Sequence, residues 1–222
     1  MRSVSVRVVV PGIAAGWVMA EGCRVETSGG ALLDEMRAVL ARAIESKDSP
    51  LSLSRKDAAR DMLRFGKYKP TGRGKPASEY LLNAAVEGRF PAINNLVDIN
   101  NLVSVEFLLP ISVVDVDRAG SRAFDIRRGR AGEEYIFNPS GQVLALQDLL
   151  LTSKLPEDVP CASPIRDCQA TKTHDGTREV LAIIYAPASQ AHTAKQAAAR
   201  MASLMVQFCG ASAESGLAEY SG

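Results

Sequence analysis

Histidine is scarce in this chain, with two among 222 residues, and tryptophan occurs once. His174 and His192 leave little material for a histidine-rich metal site or for a serine nucleophile activated by a neighbouring imidazole. The four cysteines, Cys23, Cys161, Cys168 and Cys209, are widely separated and form no Cys-x-x-Cys pair. That density excludes a disulfide-stapled secreted scaffold. A zinc site would have to draw Cys161, Cys168 and His174 together at spacings that match no standard finger. Reduced thiols, no metal and a cytoplasmic address are therefore expected. Net charge is nearly absent as well, at +1, which excludes coating of nucleic acid by bulk electrostatics.

Long apolar runs are also missing, and nothing approaches the ~20 residues of a membrane helix. The nearest imitation follows Arg2 and Arg7, where Val8 to Ala20 resembles the core of a secretory leader. Pro11, Gly12 and Gly16 interrupt it, so a core strand from Val4 to Val10 followed by a turn is the expected structure, with no membrane partner. Nucleotide signals fail too. Gly72-Arg73-Gly74-Lys75 lacks the rest of a P-loop and a strand before it, and no Gly-x-Ser-x-Gly elbow occurs. No cofactor is expected.

What is present is an ordinary globular balance, 46% hydrophobic and 23% charged, in a length that buries a sizeable core. Leu32, Leu33, Met36, Val39, Leu40 and Ile44 recur at helical spacing. A second helix is expected from Ser54 to Gly66, and a third from Ser78 to Gly88. Asn94 to Phe107 carries the stripe Leu96, Ile99, Val103 and Phe107, with Asn95 and Asp98 spaced as a capping box. The period then shortens to two, predicting strands at Ile111–Val116, Ala123–Arg128, Glu134–Phe137 and Val143–Leu146. Val180–Tyr185 reads as a buried strand, and a final helix from Ser189 stops at Gly210. Helices leading and strands following favour a compact α+β domain over residues 1–210, its helices packed on a mixed or antiparallel sheet around a central cleft. The small, polar segment 211–222 is expected to be a disordered tail.

Two features point toward function. Arg55 to Lys75 holds eight Lys or Arg against Asp57 and Asp61, a net +6, so the rest of the chain carries about −5. Within it Lys67, Lys69, Arg73 and Lys75 lie in a Gly/Pro-rich loop with Tyr68, a composition suited to phosphate contact with local stacking, or simply to a solvated loop. The second feature is polar. Asn100 and Asn101 interrupt an apolar helix, where buried amides without partners cost ~1–3 kcal/mol each, so they either bond a neighbouring loop or line a pocket. Asp115 and Asp117 with Arg118 and Arg122 read as a salt-bridged turn.

The ordered series Phe65-Gly66, Lys69-Pro70, Asn94-Asn95-Leu96-Val97-Asp98-Ile99-Asn100-Asn101, Leu109-Pro110, Asp115-x-Asp117 and Gly132-Glu133 resembles a free-standing B3/B4 domain. That domain is related to the tRNA-binding and editing module of the bacterial phenylalanyl-tRNA synthetase beta chain. Arg166-Asp167, Thr171-Lys172 and Thr177 extend the likeness, which runs from about Ala15 to Gly210. It implies an α+β fold with a central cleft, a tRNA partner, an amino-acid-like ligand, and hydrolysis of a mischarged aminoacyl ester. On that resemblance the pocket comprises Asn100, Asn101, Ser112, Gln169 and Thr171, and Lys67, Lys69, Arg73 and Lys75 contact the RNA. Ser112 stands where the synthetase domains carry a histidine, and Gln169 where they carry a glutamate. A neutral Ser and a neutral Gln cannot anchor an ammonium by charge, and Gln cannot act as a base. Two classes therefore stay open, a deacylase acting in trans and a binding module for RNA or an amino-acid-like small molecule without turnover.

Overall fold

The computed structural model describes residues 3–220, so Arg2 of the leader-like stretch lies outside the described residues. The chain opens with β1 (Ser5–Val8) and β2 (Ile13–Glu21), followed by α1 (Gly30–Glu45), α2 (Pro50–Leu63), α3 (Ala77–Val86) and α4 (Asn95–Phe107). Next come β3 (Ile111–Asp115), the short α5 (Val116–Ala119), β4 (Ala123–Arg128), β5 (Glu134–Ile136), β6 (Val143–Ala145), β7 (Leu150–Lys154) and β8 (Val159–Ala162). The chain closes with β9 (Glu179–Pro187), α6 (Ala191–Cys209) and β10 (Ser212–Glu219). One four-stranded sheet, ordered β10-β2-β9-β3, is antiparallel throughout; a second, β1-β4-β7-β8, has one parallel pair, β1 with β4; and β5 with β6 forms a small antiparallel pair. The fold is mixed α+β, as expected from the segregation of helices and strands.

The alternation of a pleated strand explains the layering. On β9, Val180, Ala182, Ile184 and Ala186 pack with residues of α1, α4 and α6, whereas Leu181, Ile183 and Tyr185 pack against Phe124, Ile126 and Leu151 of the second sheet. The antiparallel sheet is thus the middle of three layers and is apolar on both faces, which is why Val180–Tyr185 reads as a continuous run. The leader-like stretch has the same explanation. Val8 closes β1, a turn follows over 9–12, and the rest is β2, the neighbour of β9; Gly16 within it allows close approach of α6, since a Cβ there would stand 2.4 Å from the Ala194 carbonyl oxygen. Ala194, Ala197 and Ala198 supply the matching small residues on the helix.

Several boundaries differ from expectation for local reasons. Ser49 caps α2, accepting from the Ser52 amide at 3.2 Å, and Pro50 opens that helix four residues before Ser54. The cap of α4 is Asn94, whose Oδ1 accepts from Val97 N at 2.9 Å, while Asp98 accepts from Ile93 N at 2.9 Å. Asn95 instead ties the helix start to its surroundings, donating to the carbonyls of Arg24 and Phe208. The segment expected to be a disordered tail is corrected: residues 212–219 form β10, paired with β2 from Glu21 to Ala14. Small residues suit that edge because Gly216 lies under the Trp17 indole, where a Cβ would meet the ring at 2.4 Å. The expected salt-bridged turn is also corrected. Asp115 caps α5 and accepts from Thr177 Oγ1 at 2.6 Å, while Arg122 pairs with Glu21 and Glu179.

Candidate functional site

The junction of α4 with β3 positions the site. Leu108 ends the helix in a left-handed conformation, φ 56°, and the Ser104 hydroxyl donates to the Leu109 carbonyl at 2.8 Å. The chain therefore turns back at once, and β3 leaves alongside the polar face of α4. Asn100 and Asn101 lie there, with Asn100 Nδ2 donating to Asn101 Oδ1 at 3.1 Å. Asn101 is 7% exposed, and the Asn100 carbonyl oxygen is buried without a protein partner. That oxygen is a buried acceptor for which the protein itself supplies no donor.

Two hollows meet at Asn100. The wider, about 570 Å³, is lined by Arg73, Lys75, Tyr80, Asn83, Asn100, Asn101, Ile111, Ile165 and Arg166, together with Gly72, Ala77 and Leu81. The second, about 310 Å³, is lined by Ile93, Asn94, Val97, Asn100, Val113, Asp167, Lys172 and Thr173. Successive residues of β3 divide between directions as the pleat requires. Ile111 faces the first hollow and Val113 the second, so Ser112 points away from both.

Ser112 is consequently buried completely between the sheets. Its hydroxyl donates to the Ser163 carbonyl at 3.2 Å and accepts from the Tyr185 hydroxyl at 3.2 Å, which also bonds Thr152 Oγ1 at 2.8 Å. Gln169 lies in a 3-10 turn with Thr171 and lines neither hollow; its Oε1 is buried without a partner. Thr171 is a strut, donating to the Cys161 carbonyl at 2.7 Å. Of the five residues expected in the pocket, the structure brings Asn100 and Asn101 together and sets Ser112, Gln169 and Thr171 in the supporting framework.

The basic loop divides similarly. Arg73 and Lys75 line the wider hollow, whereas Lys67 and Lys69 do not. Among the described residues no carboxylate pairs with Lys67, Lys69 or Arg73, but Lys75 lies 3.1 Å from Glu79, which also receives Arg60. Burial pushes the Glu79 carboxyl up, and these two cations more than offset it, holding it below the ordinary glutamate value. Tyr68 is corrected as a stacking platform. Its hydroxyl donates to the Gly74 carbonyl at 2.7 Å, folding the loop on itself, and burial pushes that phenol up to about 12. The exposed ring at the cleft is Tyr80, with the Arg89 guanidinium 5.8 Å from its centroid.

Sequence reasoning missed Asp167 as a site residue. Its carboxylate accepts from Ser163 N at 3.3 Å and Val113 N at 3.4 Å. Burial pushes this carboxyl up to about 6, against the pull of the Ser112 hydroxyl, the two amides and Lys172. The signal was adjacency: Arg166 and Asp167 are sequence neighbours whose side chains reach different hollows. Among the described residues no group of three or more His, Cys, Asp or Glu is disposed to hold a metal ion, and no helix is long and apolar enough to cross a membrane.

An α+β domain with paired asparagines at a helix–strand junction defines the class. A family model of the B3/4 domain matches residues 69–210, and the chain belongs to that family. Over 125 residues it is 26% identical to the phenylalanine–tRNA ligase beta subunit of Staphylococcus saprophyticus, an alignment covering 54% of this chain. The chain spans only 15% of that relative's length. In structure it resembles an N-terminal fragment of the phenylalanyl-tRNA synthetase beta subunit from Pyrococcus horikoshii, with a TM-score of 0.51. That likeness covers 96% of this chain and 52% of the fragment at 11% identity, so it bears on fold alone.

Proposed function

We propose that this B3/4 protein binds tRNA in the cytoplasm and receives the aminoacylated 3′ end in the cleft, hydrolysing a mischarged ester in trans. One observation carries the reading: Asn100 and Asn101 share a cleft with Arg73, Lys75 and Arg166. Cations at the rim suit phosphates, the exposed Tyr80 ring suits a terminal base, and paired amides suit a ribose or an ester carbonyl. An aminoacyl ester is already reactive. Hydrolysis asks mainly for an oriented water and a donor to the developing oxyanion, and an asparagine Nδ2 can serve as that donor.

A second reading, binding without turnover, is favoured by the composition of the wider hollow, whose lining includes no carboxylate, histidine or cysteine. Incubation with a panel of mischarged tRNAs separates the two. Sustained release of amino acid, abolished by Asn101→Ala with tRNA binding retained, is the expected result. Saturable binding with no release establishes the second reading, and absence of tRNA binding overturns the first and leaves of the second only a module for an amino-acid-like ligand.

A further inference from the structure

The wider hollow is basic, and the second one is not. Asp167 is its acidic group, facing the aliphatic side chains of Ile93, Val97 and Val113. No cation stands within 4.0 Å of that carboxylate among the described residues. Lys172, which lines the same hollow, turns its ammonium to the Phe137 carbonyl at 2.5 Å. The carboxylate is also fixed in place. Its two oxygens accept from two different backbone amides, so it presents a charge whose position the framework determines.

We infer that Asp167 is the counter-charge for a ligand ammonium group, so that the second hollow takes the amine-bearing end of a ligand whose other end lies in the basic cleft. The inference rests on the reading of the cleft as an aminoacyl-end site and adds to it the group that selects the amine. Asn100 lines both hollows, and the α-amino group of an aminoacyl ester is separated from its carbonyl by one carbon. Asn100 is thus the point at which one ligand can touch both hollows. This also answers the deficiency at Ser112 and Gln169, neither of which carries charge: the anionic anchor comes from Asp167, in the segment that follows β8.

The electrostatics agree. A partly buried carboxylate without a paired cation is destabilised, and its carboxyl stands at about 6 chiefly for that reason. An ammonium seated beside it replaces the lost hydration and favours the ionised form. The other titratable groups facing Asp167 are Tyr135 on β5, Tyr185 on β9, Cys161 on β8, and Lys172. Burial holds Tyr135, Tyr185 and Cys161 in their protonated forms by pushing each well up.

The test uses leucinamide and 4-methylpentanamide, which differ by the amine alone, titrated at millimolar concentrations into the full chain. Binding is followed by amide NMR shifts at Asn100, Val113 and Asp167. Leucinamide should bind at least about tenfold more tightly, a difference of ~1.4 kcal/mol. Asp167→Asn should erase that difference. Should the variant fold poorly, the wild type supplies the same test: leucinamide affinity should fall as pH drops through about 6, while 4-methylpentanamide affinity stays level. Equal affinities for the two amides, a preference that survives Asp167→Asn in a folded variant, a leucinamide affinity flat with pH, or no shifts with either amide would overturn the inference. Binding of uncharged tRNA, measured separately, tests the cleft alone, so tRNA binding without amine selection removes this inference and leaves the proposed function standing.

Discussion

The two walls of the site are built differently. One consists of charges on exposed backbone, Arg73 and Lys75 in a loop closed by Tyr68 and Gly74, whereas the other consists of polar groups embedded in packing, namely Asn100, Asn101 and Asp167 with Ser112 behind them. A loop wall can change charge at little cost to folding, because solvent screens each side chain. An embedded wall cannot, since removing one polar group there leaves its neighbour unsatisfied. Substitutions that exchange these properties test the contrast.

The largest effect is expected from Ser112→His, the substitution that would restore the synthetase-like residue. Ser112 is fully buried among Tyr185, Thr152 and Ser163, so an imidazole there overpacks the space between the sheets and strands a polar ring. A loss of about 3 kcal/mol is expected from urea unfolding, with no gain in ester hydrolysis. A stable variant with increased hydrolysis would show that Ser112 belongs to the site and that the two walls are not separate.

Lys75→Glu comes next and probes where the loop wall meets the packed one. Glu79 is 6% exposed and held by Arg60 and Lys75, so a second carboxylate leaves it with one cation and a repulsive neighbour. About 1–2 kcal/mol of destabilisation is expected. The same reversal at Lys67 should cost nearly nothing. Equal effects at the two positions would mean that the Glu79 ion pair contributes no more than solvent does.

Asp167→Asn should change the pH dependence of stability rather than its general level. The folded value of about 6 lies above the ordinary 3.8, so the folded chain binds the proton more tightly than the unfolded chain. The associated stability is full below the unfolded value and is lost as pH rises to about 6. Removing the group should therefore raise stability relative to wild type by roughly 2 kcal/mol between pH 4 and pH 7. The missing backbone bond shifts that comparison by a constant and leaves its slope. A variant whose difference from wild type does not vary with pH would show that Asp167 carries no burial penalty.

These contrasts also show how far the sequence was legible. The stripe Leu96, Ile99 and Val103 marked α4, because a 3.6-residue period separates a buried face from an open one, while the polar breaks in it, Asn100 and Asn101, left a loop contact and a pocket lining equally open. Other features depended on pairings between distant residues. β2 and β10 were not recognised, the first because a strand buried on both faces lacks alternation and the second because Ala, Gly and Ser carry little strand preference. Tyr68 looks suited to stacking from its basic neighbours, and only the 2.7 Å bond to Gly74 shows its hydroxyl turned inward. Asp167 escaped notice for the opposite reason to Ser112: family resemblance directed attention to residue types at fixed positions, while the pleat of β3 decides which of them face a hollow.

The smallest effect on stability, and the largest on binding, is expected from reversing Lys67, Lys69 and Arg73 to Glu together. None of the three pairs with a carboxylate among the described residues, and each is exposed, so folding should change by less than about 1 kcal/mol. If the loop meets the tRNA backbone, affinity should drop sharply, and the slope of log affinity against log salt should flatten by about one unit for each phosphate no longer neutralised. The three positions should not contribute alike. Arg73 lines the cleft and Lys67 and Lys69 do not, so Arg73→Glu alone should account for most of the loss for a short acceptor-end RNA. The lysines should matter more for full-length tRNA, whose backbone extends beyond the cleft. A uniform loss from all three with the short RNA would place the binding surface on the loop as a whole. Binding that ignores salt would remove the electrostatic role of that wall and leave only its solubility to explain its charge.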